Sequence, residues 1–165
     1  MGSWRTSLII EERGEFLADA DATLLAGARL ARGLRGGMIV TLSGELGAGK
    51  TTLVRGMLRG LGWGGAVKSP SYVLLEHYQI SSIYFYHFDF YRFEDAAEWE
   101  TTGFADYFRP DAVCAIEWPE RVAALLPVID LSLRLRSAEP GRQLHVRAST
   151  LAGNACLEKF AATSA

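Results

Sequence analysis

The sequence has few features that would crosslink, anchor or strongly charge the molecule. It contains two cysteines in 165 residues, too few for a disulfide framework, which indicates a reducing compartment. No run approaches the roughly 18 apolar residues of a membrane span, and no apolar signal segment opens the chain, so we expect a cytoplasmic protein without membrane contact. The formal net charge of −2 argues against tight binding of nucleic acid by the chain alone.

The remaining composition is that of an ordinary globular protein. Hydrophobic residues make up 49% of the chain and charged residues 22%. Neither an internal repeat nor a low-complexity linker divides the sequence. We therefore expect residues 1–165 to form one domain.

One segment, from Gly44 to Thr51, reads GELGAGKT and matches the phosphate-binding pattern G-x-x-x-x-G-K-[ST]. Glycines let successive backbone N–H groups point inward at phosphate oxygens. The pattern assigns Lys50 to the β- and γ-phosphates and the Thr51 hydroxyl to Mg²⁺. The predicted nucleotide-contacting residues of this segment are Glu45, Leu46, Gly47, Ala48, Gly49, Lys50, Thr51 and Thr52.

The hydrophobic pattern around the loop predicts an α/β fold. An unbroken apolar run precedes the loop, and helical spacing of apolar residues follows it, so that a helix N-terminus points at the anion. Predicted strands lie at 4–11, 38–42, 72–80, 83–90, 112–116, 129–135 and 144–148, and predicted helices lie between about 24 and 37, at 50–61, 94–108 (broken at Gly103) and 151–160. Parallel strands, β-hairpins and flanking helices together predict the three-layer sandwich of a P-loop NTPase with a mixed sheet.

Two acids and one hydroxyl are candidates for completing the chemistry. Glu117 ends an apolar strand, where α/β sheets bind ligands, and is predicted to position the metal, the alternative being a glutamate that opens a helix before Pro119. Asp89 lies among aromatic residues and needs a partner, which is Mg²⁺, a catalytic water or Arg92. Ser71 is either a switch hydroxyl or part of an ordinary turn.

The three histidines show no metal-ligand spacing. His77, His87 and His145 are therefore predicted to be residues of the sheet surface or of hairpins, and no zinc site is expected.

Six motifs occur in one order along the chain: GELGAGKTT, VKSPSY, YHFDFYR, GFADYF, AIEWPER and a late Gly141-Arg142. In this order they resemble the TsaE (YjeE) family, small bacterial ATPases needed to make N6-threonylcarbamoyladenosine on tRNAs that read A-starting codons. The resemblance covers residues 17–160. It implies an adenine-contacting surface near residues 18–23, and it places Arg142 in a Gly-Arg pair of the family.

The resemblance also implies roles for single residues. Lys50 and Thr51 would bind phosphates and Mg²⁺, Ser71 would be the switch hydroxyl, Asp89 the acid near the attacking water, and Glu117 the acid of the metal site. The family usually has threonine at the position of Ser71, and loss of the methyl group that restricts χ1 implies a looser switch. The implied cofactors are ATP and Mg²⁺, and the implied partners are TsaB and TsaD, with tRNA contacted only indirectly through the complex.

Two other functions are compatible with a phosphate loop. A small-molecule kinase needs a helical lid, whereas the segment after the loop helix is predicted to be a hairpin. A nucleotide-gated binding module would hydrolyse ATP only incidentally. A GTP switch is disfavoured because no Asn/Thr-Lys-x-Asp motif occurs near any lysine.

Overall fold

The structure is a computed structural model that describes residues 11–162. Seven strands and four α-helices are present in this range, together with three short 3₁₀ turns. The elements are β1 (Glu11–Leu17), α1 (Ala20–Ala31), β2 (Ile39–Ser43), α2 (Lys50–Leu61), β3 (Leu75–Ile80), β4 (Ile83–Asp89), α3 (Ala96–Thr102), β5 (Ala112–Glu117), β6 (Leu131–Ala138), β7 (Gly141–Ala148) and α4 (Leu151–Ala162). No helix among these is long and apolar enough to cross a membrane.

All seven strands form one mixed sheet in the order β1-β7-β6-β2-β5-β4-β3. The central strands β6, β2, β5 and β4 run parallel, while β1, β7 and β3 pair antiparallel at the two sides. Parallel strands place their carboxyl ends at one edge of a sheet. The loop after β2, the end of β4 and the end of β5 therefore meet at the same edge.

Helices cover the two faces of the sheet unequally. Helices α1, α2 and α4 pack on one face over an apolar core that includes residues of β2, β5, β6 and β7. On the other face, an aromatic cluster packs beneath α3 and the 3₁₀ turn Phe104–Tyr107. Phe88, Phe90 and Phe104 are central to it, with ring centroids 5.5 to 5.7 Å apart. This second layer covers β4 and β5, and it leaves much of β6, β7 and β1 uncovered.

The predicted α/β class, the mixed sheet, both hairpins and the flanking helices are confirmed. The first strand predicted at 4–11 lies outside the described residues except for Glu11, where β1 begins. The strand predicted to start at residue 72 starts at Leu75, because Leu74 has a left-handed φ of 67° and follows a turn.

Two helix boundaries also differ from the prediction. Helix α1 ends at Ala31 instead of near residue 36, and the following N–H groups bond three residues back, as in a turn. Leu34 stays buried in this turn, which is why the apolar pattern continued beyond the helix. The helix predicted at 94–108 is α3 followed by a 3₁₀ turn, and the break at Gly103 is confirmed by its φ of 69°.

Candidate nucleotide-binding site

The phosphate loop connects β2 to the N-terminus of α2. Gly49 caps α2 with a φ of 108° and makes no side-chain capping bond, so the first N–H groups of the helix face the loop. The φ of Gly49 favours glycine, and a Cβ atom there would lie 2.6 Å from Nη1 of Arg142, so a larger residue would also displace this guanidinium group. An uncapped N-terminus of a 12-residue helix is a site for an anion.

Lys50 is buried at the start of α2, with 5% of its surface exposed. Its ammonium group donates to the carbonyl oxygens of Gly44 and, at 3.2 Å, of Glu45. Its Nζ atom also lies 4.3 Å from the centroid of the Trp118 ring, a cation–π contact. Burial lowers the pKa of Lys50, and the nearby carboxylates of Glu117 and Asp89 oppose that shift. The ammonium group is thus held within the loop that would contact phosphate.

Glu117 ends β5 and is 3% exposed. Its Oε2 atom is 3.3 Å from the Thr51 hydroxyl, which donates to it, and 2.5 Å from Nε2 of His87. A buried carboxylate needs such partners, because burying it without them is costly. The structure therefore places the two predicted metal-site residues, Thr51 and Glu117, in direct contact.

Asp89 ends β4 and is 7% exposed, and it pairs in register with Glu117 on β5. Its Oδ1 accepts a bond of 2.9 Å from the Tyr91 N–H, and its Oδ2 accepts one of 3.5 Å from the Ser71 hydroxyl. Burial is the main cause that raises the pKa of Asp89, and the negative charge of Glu117 adds to it. Ser71 and Asp89, both predicted for the site, are thus in contact.

Within residues 11–162, Asp89 makes no ion pair with arginine. The guanidinium group of Arg92 instead stacks over the ring of Tyr72, 4.6 Å from its centroid. The structural Asp89–Arg92 pair, one of the alternatives left open by the sequence, is therefore not formed.

Arg142 comes from the start of β7 and lies against the loop. Its Nη1 donates to the Ala48 carbonyl at 3.4 Å, while its Nε is buried without a hydrogen-bond partner in the described part of the chain. A buried donor lacking a partner is unfavourable unless a ligand supplies an acceptor. Arg142 is thus suited to contact an anion at the loop.

These groups surround one cleft of about 210 Å³. Its lining consists of Leu46, Gly47, Gly49, Lys50, Thr51, Thr52, Ser71, Asp89, Glu117, Trp118 and Arg142. The predicted site residues Glu45 and Ala48 line a second cavity, of about 680 Å³, together with Trp118 and residues 134–137. Ala48 still presents its carbonyl to Arg142, whereas the Glu45 side chain is exposed.

His87 was expected on a sheet surface or in a hairpin: it does lie in the β3–β4 hairpin, but a surface position is wrong. The side chain is fully buried and bonded to Glu117, and its Nδ1 has no partner among the described residues. A signal was present in the sequence: His87 precedes Asp89 by two residues, so alternation along a strand puts both on one face. Trp118, whose ring contacts Lys50, was also given no role from the sequence pattern. Its backbone takes a left-handed φ of 57°.

Comparison with known proteins identifies the family. The sequence model for threonylcarbamoyl adenosine biosynthesis protein TsaE matches residues 17–144. This chain belongs to the TsaE family. The tRNA threonylcarbamoyladenosine biosynthesis protein TsaE of Haemophilus influenzae is 44% identical over 123 residues, 74% of this chain and 78% of that protein. Its counterpart in Treponema pallidum is 36% identical over 124 residues, 75% of this chain and 91% of that protein.

The fold is also that of a solved structure. The crystal structure of YdiB from Bacillus subtilis superposes with a TM-score of 0.81 and covers 96% of this chain and all of its own, at 24% identity. Membership of the TsaE family gives the chain a role in tRNA threonylcarbamoyladenosine biosynthesis and the fold of a P-loop nucleotide-binding protein. The family resemblance drawn from the six motifs is confirmed.

The oxygen atoms at this TsaE site fit a magnesium ion bound together with a nucleotide. Thr51 and Glu117 offer hard oxygen donors 3.3 Å apart at the helix N-terminus. No group of three or more His, Cys, Asp or Glu residues in the described range could hold a metal alone. Because Mg²⁺ usually keeps several waters and takes oxygens from substrate phosphates, two protein donors are a suitable set.

Proposed function

We propose that this chain is a Mg²⁺-dependent ATPase that acts with a TsaB/TsaD-type protein pair in forming N6-threonylcarbamoyladenosine in tRNAs that read A-starting codons. ATP hydrolysis resets the complex between turnovers, and tRNA is contacted only through the complex. Residues 1–165 act as one domain in the cytoplasm. The observation that carries the proposal is the convergence of the phosphate loop, the Thr51–Glu117 contact and the Ser71–Asp89 contact on one cleft.

Triphosphate binding is assigned to the loop and its neighbours. The N–H groups of residues 45–52 surround the phosphate oxygens, and the Lys50 ammonium exchanges its bonds to the Gly44 and Glu45 carbonyls for bonds to the β- and γ-phosphates. Arg142, which lines the same cleft, contributes its unpartnered Nε–H. Such charge-assisted bonds are about twice as strong as neutral ones.

Charge balance supports a cation beside Glu117. The cleft is lined by two cationic groups, Lys50 and Arg142, and by two carboxylates, Asp89 and Glu117, so these four groups leave no net positive charge to balance a triphosphate. Bound Mg²⁺ would offset charge on the phosphate oxygens during transfer. Thr51 and Glu117 would hold it, and His87 fixes the orientation of the Glu117 carboxylate through its 2.5 Å bond.

Hydrolysis needs a water aligned with the terminal phosphorus. Asp89 and Ser71 are assigned to orient it, because they are in contact and line the same cleft as the loop. The water oxygen bonds to the γ-phosphorus, the bond from phosphorus to the ADP oxygen breaks, and the water proton passes to Asp89. Burial raises the pKa of Asp89, which makes its carboxylate a better proton acceptor than an exposed one.

The test compares turnover with and without partners. Phosphate release from ATP is measured with Mg²⁺ or EDTA, for the chain alone and with a purified TsaB/TsaD-type pair, and a pull-down from lysate with and without ATP identifies the proteins bound. We expect Mg²⁺-dependent hydrolysis that is slow alone and rises with the pair. Phosphate transfer to small acceptors would instead indicate a kinase, a reading disfavoured by the β3–β4 hairpin that follows α2. Unchanged, negligible hydrolysis in the presence of the bound pair would indicate a nucleotide-gated binding module.

A further inference from the structure

The sheet brings Arg142 and the two acids of the site to the phosphate loop from different directions. The loop follows β2, which has β5 and β4 on one side and β6 and β7 on the other. Glu117 and Asp89 end β5 and β4, respectively. Arg142 lies at the start of β7, which is antiparallel to β6 and therefore begins at the same edge of the sheet. The acids and Arg142 thus reach the cleft from opposite sides of β2.

The side of β5 and β4 carries the groups assigned to the metal and to the attacking water. The Thr51 hydroxyl donates to Glu117, and the Ser71 hydroxyl donates to Asp89. Within residues 11–162, Arg142 makes no hydrogen bond or ion pair with any of these four side chains. A metal ion bound with a triphosphate bridges its β- and γ-phosphates, so the terminal phosphate is assigned to the side of the acids.

Arg142 contacts the last residues of the loop instead. Its Nη1 donates to the Ala48 carbonyl at 3.4 Å. Its guanidinium group also lies against Gly49, where an added Cβ atom would be 2.6 Å from Nη1 and 3.6 Å from Cζ. The backbone N–H groups of such a loop surround the α- and β-phosphates, whereas its lysine reaches the β- and γ-phosphates. A guanidinium group packed on this backbone therefore lies beside the two phosphates that ATP and ADP share.

The guanidinium group has a donor left for a phosphate oxygen. The Nε atom of Arg142 is buried without an acceptor among the described residues, and no carboxylate in 11–162 forms an ion pair with this side chain. A buried N–H group without an acceptor is unfavourable, and an anionic oxygen satisfies it best. Guanidinium groups bind phosphate through two parallel N–H bonds, which Nε and one Nη can supply.

We propose that Arg142 binds the α- and β-phosphates of the nucleotide, so that it holds ADP as strongly as ATP and does not act as the arginine that accelerates hydrolysis. The proposal rests on the proposed function and names the part of the nucleotide that this residue recognises. An interaction made equally with substrate and product raises affinity without lowering the barrier to hydrolysis. Arg142 therefore slows the release of ADP, the step that precedes binding of the next ATP.

The test compares the affinities of the parent and of Arg142→Ala for ADP and for a non-hydrolysable ATP analogue, each with Mg²⁺ and with EDTA. We expect Arg142→Ala to bind both nucleotides about 10–100-fold more weakly, by the same factor and under both conditions. A fluorescent ADP should dissociate faster from the variant. In hydrolysis, kcat/KM should fall by the factor seen in the affinities, with the loss in KM.

Arg147→Ala is the matched control. It removes one arginine from the same strand, where Arg147 lies half exposed and 3.8 Å from Glu12. Because an exposed ion pair contributes little, this variant should bind both nucleotides like the parent. Equal weakening by Arg147→Ala would show that the total charge of the chain, and not a contact of Arg142, sets the affinity, and this would overturn the proposal.

A second substitution separates a phosphate contact from a structural role. Arg142→Lys keeps the charge but lacks Nε–H and the planar guanidinium group, so it should recover only part of the affinity. Melting temperatures without nucleotide show whether each variant is folded. If Arg142→Ala does not fold, Arg142→Lys decides: equal weakening for both nucleotides supports the proposal, and parental affinities overturn it. A lower melting temperature with parental affinities would show that Arg142 only supports the loop.

The remaining outcomes separate this proposal from the proposed function. Weaker binding of the ATP analogue alone would place Arg142 at the γ-phosphate, and a fall in kcat at parental affinities would make it the accelerating arginine. Either result, or parental behaviour of Arg142→Ala in every assay, overturns the proposal while the ATPase assignment stands. If the parent neither binds these nucleotides nor hydrolyses ATP, the proposed function fails and the proposal fails with it.

Discussion

Replacing Asp89 by asparagine tests the assigned chemistry of the site most directly. The change keeps the volume of the side chain and removes its charge. The amide oxygen can still accept the bond that Tyr91 N–H donates to Oδ1, so the local turn is retained. We expect single-turnover hydrolysis to fall by about 10²–10⁴-fold, the usual contribution of a positioned acid or base, while nucleotide affinity is maintained.

The same substitution should stabilise the protein at neutral pH. Asp89 and Glu117 are register partners on adjacent strands, which lie about 4.8 Å apart, and two unit charges at that distance repel by about 3 kcal/mol at an effective dielectric constant of about 20. Attraction to Lys50 and the two hydrogen bonds to Asp89 offset part of this repulsion. A net gain of about 1 kcal/mol would raise Tm by roughly 2–4 °C.

The increase in stability caused by Asp89→Asn depends on pH, and its direction follows from the pKa shift of Asp89. Burial raises the pKa of Asp89 above its ordinary value of 3.8, so the folded state binds this proton more tightly than the unfolded state. The parent therefore loses stability as pH rises from 3.8 through the raised pKa, whereas Asp89→Asn does not. The difference in Tm, measured in EDTA without nucleotide, should be largest at neutral pH and vanish below pH 3.8.

Asp111→Asn is the matched control, since Asp111 forms only an exposed ion pair with Arg109 and should change neither rate nor Tm appreciably. A lower Tm for Asp89→Asn together with a parental rate of hydrolysis would refute the reasoning, because that pattern indicates a structural carboxylate.

Further variants test the other residues of the site. Lys50→Ala should cut hydrolysis by about 10²–10³-fold or more, and turnover at the parental rate would show that the loop is wrongly assigned. Glu117→Ala should raise the Mg²⁺ concentration needed for turnover more than it weakens nucleotide binding, and equal Mg²⁺ titrations would contradict the metal assignment. His87→Leu should lower stability by about 1–3 kcal/mol, because it leaves the buried Glu117 carboxylate with one donor fewer, and melting curves check this. The isolated chain should turn over slowly, and an arginine supplied by the partners would accelerate it by about 10³–10⁵-fold. Fast turnover without partners that collapses in Arg92→Ala, or in Arg142→Ala, would place that arginine in this chain instead.

The central part of the fold was predictable because its pattern is local. Strand β5 is buried on both faces, so it is apolar throughout until Glu117, and β6 alternates because one of its faces lacks a covering helix. Strand β1 gave no such signal. Its sequence EERGEFL has one buried side chain, Leu17, since it is an edge strand held by backbone pairing with β7. Hydrophobic periodicity does not detect a strand of this kind.

Site residues could be predicted where a polar residue interrupts an apolar sequence pattern. They were missed where the role of a side chain depends on its contacts in the folded structure. The loop motif, Asp89 and Glu117 are polar positions at the ends of apolar strands. The contact of His87 with Glu117 depends on the register of β4 with β5, in which His87 opposes Ala115 and Glu117 is its diagonal neighbour. The separation of Arg92 from Asp89 likewise depends on where Tyr72 lies. Neither contact follows from spacing along the chain.

The distribution of buried polar groups explains why function and stability compete in this molecule. Every Lys, His, Asp and Glu side chain that is buried within residues 11–162 lies at the site: Lys50, His87, Asp89 and Glu117. Elsewhere the buried side chains with polar atoms in that range carry hydroxyl, thiol or indole N–H groups, among them Thr23, Thr41, Tyr78 and Tyr86. Burying Lys, His, Asp and Glu side chains lowers stability, and this fold concentrates those that it buries at one sheet edge, where a charged ligand can offset the cost. Because Asp89→Asn is expected to keep its nucleotide affinity, nucleotide and Mg²⁺ should raise the melting temperatures of the parent and of Asp89→Asn by similar amounts, and a clearly smaller rise in the variant would show that Asp89 contributes to ligand binding.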